Sequence, residues 1–257
     1  VVEPDAVDRE VLQEFPERVH AEPAVTVVCR TDALPALRRR GHTAIRNLAE
    51  RAELAQQAAA FRYVVGVRLC FVDGTPDIIA YPNDRDAYGR LCSLLTAGNL
   101  RAEKGSCELY IEDLKAHAEG QLFILLADES RWDISEETLR HLTDLVPYHT
   151  WLAASCTYKG RDRERLNRLA DLAGRVGVPL IATNDVLYHV PERRMLQDVV
   201  TCIREHLTIF EAGRRLEQNA ERHIKSPAEM ARLFREHTGA LAETQRFLSR
   251  IGFRLDQ

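Results

Sequence analysis

The stretch that decides the fold runs from Pro179 to Met230: PLIATNDVLYHVPERRMLQDVVTCIREHLTIFEAGRRLEQNAERHIKSPAEM. Residues 178–183 form a short apolar run of strand length, and the polar pair Asn184-Asp185 supplies the turn that ends it. Pro191 then opens a helical pattern that carries the pair Arg193-Arg194. A segment dense in Arg, Glu and His follows. It closes on Ser226-Pro227, a cap residue followed by the proline suited to a first helical position.

The same strand-then-helix rhythm extends upstream. Apolar runs at 63–71, 77–81, 122–126, 151–154 and 179–183 predict strands. Amphipathic spacing predicts helices over 85–96, 111–118, 135–145, 162–176, 191–204 and 227–238. This alternation predicts a parallel α/β architecture, and periodicity leaves barrel and doubly wound sheet both open.

Residues 1–61 read differently. The first 24 hold seven Asp/Glu against two Arg, with three prolines, which predicts an irregular acidic arm. Residues 25–29 have the composition of a short strand. Residues 33–61 are alanine-rich and helical in pattern, broken near Gly41 behind the cluster Arg38-Arg39-Arg40. Positive charge suits a helix end before a glycine, so a solvated helix terminus is the expectation there.

Composition narrows the class. The chain has 257 residues, enough to bury roughly 70–75% of its unfolded surface. A formal charge of −4 argues against binding a polyanion by bulk electrostatics, so any nucleic-acid contact must come from a local patch. The six cysteines lie far apart in mostly apolar surroundings, as expected of reduced thiols in a cytoplasmic protein. No apolar run has the ~20 residues of a membrane span, and Val1 onward shows no charged-then-apolar pattern, so a protein that is not secreted is the expectation.

Several ungapped words in the opening stretch carry more than periodicity. They are Leu196-Gln197-Asp198, Thr201-Cys202-Ile203-Arg204-Glu205, Ala212-Gly213-Arg214-Arg215-Leu216-Glu217, Asn219-Ala220-Glu221-Arg222-His223 and Lys225-Ser226-Pro227. In order and spacing they resemble the end of the PHP (polymerase and histidinol phosphatase) domain of bacterial family C DNA polymerases, most closely the error-prone branch. Weaker landmarks upstream include Val65-Gly66-Val67-Arg68-Leu69, Tyr81-Pro82-Asn83-Asp84-Arg85 and His117-Ala118-Glu119-Gly120. The resemblance covers residues 62–257 and leaves 1–61 unmatched.

The resemblance implies a distorted (β/α)7 barrel over 62–225 whose first strands are missing or replaced. It implies that 226–257 form a C-terminal helix leading toward a polymerase palm that would lie beyond Gln257. It implies a parent DNA polymerase III α-subunit-like protein acting in translesion synthesis, DNA replication and DNA repair. Its partners would be a polymerase core in cis, with DNA and accessory proteins reached through the parent, and no membrane.

Active members of that family hold divalent metals with His, Asp and Glu at strand ends, where the metals activate a water and clamp a phosphate ester. Against that pattern the chain departs in three places. The turn reads Asp185-Val186-Leu187 where Asp-x-His stands in active members. Gly66-Val67-Arg68 offers a cation in place of a carboxylate, and the opening His-x-His has no counterpart. Three lost ligand positions predict no bound metal and no cofactor. Asp185 and His189 remain as residual metal candidates. Asp185 alternatively serves as a turn residue or an ion-pair partner for Arg68, and His189 as a cap on the turn.

No phosphate loop, nucleophile elbow, HExxH helix or dinucleotide fingerprint is present. Residues 190–225 hold seven Lys/Arg and six Asp/Glu. Within them Arg193, Arg194, Arg204, Arg214, Arg215 and Lys225 are candidates for an interface or DNA contact. The alternative is an internal ion-pair lattice with Glu192, Glu205, Glu211, Glu217 and Glu221. The resemblance thus implies a non-catalytic polymerase scaffold. Two alternatives stand beside it: a stand-alone metal-dependent phosphoesterase or 3′–5′ exonuclease using a divalent metal, and a truncated relic without activity.

Overall fold

A computed structural model describes residues 64–254. The expectations for residues 1–61 lie outside the described residues. Five strands form one sheet in the order β1 (Val67–Leu69), β2 (Ile78–Pro82), β3 (Gln121–Leu125), β4 (Thr150–Ala154) and β5 (Leu180–Ala182). Helices α1 (Arg85–Arg101) and α2 (Ile111–Ala116) separate β2 from β3, α3 (Trp132–Leu145) separates β3 from β4, and α4 (Asp162–Val176) separates β4 from β5. After β5 come α5 (Arg194–Arg204), the short α6 (Ile209–Ala212), α7 (Pro227–Leu233) and α8 (Thr238–Arg250).

The sheet is mixed, which corrects the expectation of a parallel one. β3, β4 and β5 pair in parallel, with Phe123 opposite Thr150 and Leu152 opposite Leu180. β2 is antiparallel to both neighbours, with Val67 opposite Ala80 and Ala80 opposite Phe123. The connections explain this. The short link from Leu69 to Ile78 cannot hold a crossover helix, so β2 must return alongside β1. The α1–α2 excursion starts and finishes at one edge, where the Asn83 amide donates to the Gly120 carbonyl at 2.9 Å. A seven-stranded barrel is not what these five strands form by themselves.

Alternation along β3 and β4 sends side chains to two cores, and both strands are buried throughout. On one face Phe123, Leu125 and Leu152 pack with Leu94 of α1, Leu139 and Leu142 of α3, and Leu169 and Leu172 of α4. On the other, Tyr81, Leu122, Ile124, Trp151 and Ile181 meet Phe247 of α8. Phe247 stands edge-on to Tyr81 (5.2 Å, 77°) and to Trp151 (4.8 Å, 88°), the favoured aromatic geometry.

Helix α8 also covers the outer edge of β5. Leu152 and Thr183 make the hydrogen bonds between β4 and β5 through Pro179 and Ala154, so the Ala182 carbonyl faces away from β4. The Thr244 hydroxyl donates to that carbonyl at 2.9 Å. A helix therefore occupies the place where another strand would pair.

The helix boundaries depart from expectation for local reasons. α1 runs on through Gly98 to Arg101, because Gly98 is a point of close approach rather than a stop. A Cβ there would lie 2.6 Å from the Cys107 sulfur. The residues expected to form one helix over 227–238 form α7 instead, and the chain then restarts as α8. Between them Phe234, wholly buried, turns into the first core. Among the described residues no helix is long and apolar enough to cross a membrane.

Candidate functional site

Because β1, β3, β4 and β5 run the same way, their C-terminal ends and the start of β2 share one edge of the sheet. The loops after β3, β4 and β5 meet there, the position at which barrel enzymes carry their catalytic groups. In this chain ion pairs occupy that edge.

Arg68 of β1 places Nη2 2.5 Å from the Asp77 carboxylate, and its Nε donates to the same oxygen at 2.7 Å. Burial works against the Arg68 charge. Asp77 outweighs it, with a smaller contribution from Asp185, and the guanidinium is held above its ordinary range. The neighbouring Cys70 thiol is pushed up to about 11, first by burial and then by Asp77, which leaves it a poor nucleophile.

Asp185 occupies the turn after β5 in a left-handed conformation, φ 42°. Its carboxylate pairs with Arg222 (Nη2–Oδ1 2.7 Å), not with Arg68. Arg222 Nε also donates to the Asp185 carbonyl at 2.9 Å, and Nη1 bonds Glu217 at 2.6 Å. Lys159 lies 3.4 Å from the other Glu217 oxygen. Burial alone would raise the Glu217 carboxyl, but Arg222 and Lys159 bring it below the usual carboxylate range.

The segment around Arg222 stitches the edge together. The Leu187 amide donates to the Arg222 carbonyl at 2.9 Å, and the Ile224 amide to the Tyr188 carbonyl at 3.2 Å. Asn184 donates from its side chain to the His223 carbonyl at 2.7 Å. The Asn219 amide reaches the Thr157 carbonyl, 2.8 Å away in the loop after β4. Residues 217–224 thus lock the loops that follow β4 and β5.

The residual metal candidates are not gathered into a ligand set. Asp185 is taken by Arg222, and His189 lies exposed further along the loop. Among the described residues no group of three or more His, Cys, Asp or Glu side chains is placed to hold a metal ion.

The six basic candidates divide. Lys225 is buried, its side chain 1% exposed, with Nζ bonded to the Glu221 carbonyl and 3.3 Å from the Glu221 carboxylate. Arg194 donates to the Glu217 carbonyl at 2.6 Å and faces Asp198 at 3.7 Å. Arg204 and Arg215 share Glu205 at 3.4 and 3.6 Å. Arg193 and Arg214 are exposed. Of the expected acidic partners, Glu205, Glu217 and Glu221 are in ion pairs, whereas Glu211 caps α6 through Thr208. Arg222 is the centre of the site, and no property of the linear sequence sets it apart from its neighbouring arginines. Asp185 lies 37 residues away from it.

An α/β domain whose strand-end edge is closed by arginine–carboxylate pairs is the class these observations define. The comparisons give the relatives. No family model matches the chain. It is 51% identical over 205 residues to the error-prone DNA polymerase of Caulobacter vibrioides, a match covering 80% of this chain and 19% of that protein. It is 53% identical over 198 residues to that of Rhodopseudomonas palustris (76% and 18%) and 48% identical over 204 residues to that of Brucella abortus (79% and 19%). The chain is a homologue of one segment of error-prone DNA polymerases, and it spans about a fifth of the length of the relatives it matches.

Proposed function

We propose that the chain is a non-catalytic structural domain of an error-prone DNA polymerase, bracing in cis a core that copies damaged templates. The observation that carries this reading is the closed strand-end edge, where Arg68 and Arg222 neutralise Asp77 and Asp185. A guanidinium bonded to the carboxylate competes directly with any cation for the same oxygens. Under this reading the five strands are the larger part of a PHP-type barrel, and DNA and accessory proteins are reached only through the parent polymerase.

The test has two arms. The 257-residue chain, with magnesium, manganese or zinc, is expected to remove no nucleotides from a mismatched primer beyond what its Asp185→Ala variant removes. A chimera in which this chain replaces the matched segment of the Caulobacter relative is expected to extend a primer on a template. Metal-stimulated hydrolysis that Asp185→Ala abolishes would overturn the non-catalytic reading, and a chimera without synthesis would overturn the scaffold.

A further inference from the structure

Helix α5 is amphipathic with its apolar side turned outward. Met195, Leu196, Val199, Val200 and Ile203 recur at helical spacing along one stripe, and all are exposed, Met195 at 79%. Phe210 of α6, 95% exposed, follows on the next element. The polar residues point the other way: Arg194 reaches the Glu217 carbonyl, and Thr201 is buried. No residue of α5 belongs to either hydrophobic core. A helix that turns Arg194, Thr201 and the small Cys202 toward its own domain and its large apolar groups toward solvent presents a face suited to a second apolar surface. Monomeric proteins seldom expose more than a few hundred Å² of contiguous apolar area.

We infer that the α5–α6 stripe is the docking face for an apolar surface of the polymerase core in cis, a conclusion that rests on the scaffold reading above. The relatives carry about four-fifths of their length outside the matched segment, enough to bury such a face. The charges beside the stripe favour protein over nucleic acid or a lipid surface. Glu205 already neutralises Arg204 and Arg215, and acidic Glu192 and Glu211 stand one and three residues along the sequence from Arg193 and Arg214, so the charges around the apolar residues are mixed in sign. A stable interface takes roughly 800 Å² from each partner, and this stripe supplies its apolar centre.

The chain has two methionines, which makes the face directly readable. Hydrogen peroxide transfers one oxygen to a thioether and leaves water, and peptide mass spectrometry reads the sulfoxide. Met230, half-buried against the first core, is the internal reference for exposed Met195. In the isolated 257-residue chain Met195 is expected to oxidise faster than Met230. In the chimera with the Caulobacter relative its rate is expected to fall about tenfold, as exposure controls oxidation. Val199→Asp should restore the fast rate and lower synthesis in the chimera, while leaving the thermal midpoint of the isolated chain unchanged.

An active chimera with Met195 still fast would overturn the docking inference and leave the scaffold reading standing. Protection already present in the isolated chain would also overturn it. A dimer mass by sedimentation would then assign the face to a second copy, and a monomer mass would assign it to residues 1–63. A chimera that cannot synthesise DNA defeats the scaffold reading and this inference together.

Discussion

Arg222 grips Asp185 at two points, its Nη2 2.7 Å from the carboxylate and its Nε 2.9 Å from the backbone carbonyl of the same residue. The double contact fixes the side chain and the left-handed backbone of the turn after β5 together. The third nitrogen, Nη1, binds Glu217. The pair therefore seals the edge at which a barrel enzyme would act, and several expectations follow from how it and its neighbours are held.

Arg222→Ala should destabilise the domain by about 1–3 kcal/mol, since hydrogen bonds to charged groups in a largely buried site are lost at once. Arg222→Lys should recover little, because an ammonium cannot span two carboxylates and a carbonyl with a planar fork. Asp185→Asn keeps the carbonyl contact and should cost less than about 1 kcal/mol at this partly exposed carboxylate. Urea midpoints of the three variants give the comparison, and equal losses for Arg222→Ala and Asp185→Asn would contradict it.

On the other face, the Trp151 indole donates to Glu243 at 2.9 Å, and Arg246 takes the second oxygen at 3.0 Å. Trp151→Phe removes a donor from a buried carboxylate and should cost about 1–3 kcal/mol. In a double-mutant cycle with Glu243→Leu the two losses should fall short of adding, by about 0.5–3 kcal/mol. Strict additivity would show that this bond does not seat α8.

Two glycines offer opposite outcomes. A Cβ on Gly66 would lie 2.5 Å from the buried Tyr81 ring, so Gly66→Ala should destabilise by about 1–3 kcal/mol. Gly89, within α1, has nothing within 4 Å of such an atom. Gly89→Ala should stabilise by about 0.5–1 kcal/mol through helix propensity. Thermal melts of both variants check the signs.

The Asp128 carboxyl is drawn down to about 2, first by the Ser130 hydroxyl and amide and then by Arg131. A depressed carboxyl contributes stability that is fully present above its unfolded pKa, ~3.9, and is lost as the pH falls toward about 2. Asp128→Asn should flatten the stability profile in that window and leave its shape near neutrality unchanged. Carboxyl NMR titration would show the low midpoint directly, and an ordinary midpoint would refute it.

Burial and Asp77 keep Cys70 protonated, with its pKa near 11. At pH 8 its thiolate fraction is on the order of 10⁻³, so alkylation should leave it unmodified while exposed Cys92 reacts. Peptide mapping after a short iodoacetamide pulse reads the order. Asp77→Asn should speed Cys70, since it removes a negative charge that opposes the thiolate.

Much of the fold was legible because its signals are local. The predicted helix over 162–176 matches α4, and β2 to β5 begin and end within one residue of their apolar runs, helped by the burial of β3 and β4 on both faces, whereas β1 occupies only 67–69 of the run predicted over 63–71. The antiparallel placing of β2 was not legible, because it depends on where α1 and α2 deliver the chain. The break of the expected C-terminal helix over 226–257 into α7 and α8 was not legible, because an interrupted helical pattern does not reveal that Phe234 turns inward between two helices.

The site divides in the same way. Sequence by itself marked the turn at Asn184-Asp185 and the cation at Arg68, since each is a matter of residue type at a known point in a strand. Only the tertiary structure chose the partners: Arg222 for Asp185, Asp77 for Arg68, and burial for Lys225. It also turned the apolar side of α5 outward, where periodicity predicts only that such a side exists. Ion pairing and facing depend on distances in space between residues far apart along the chain. A linear pattern carries the chemistry of each residue and not those distances.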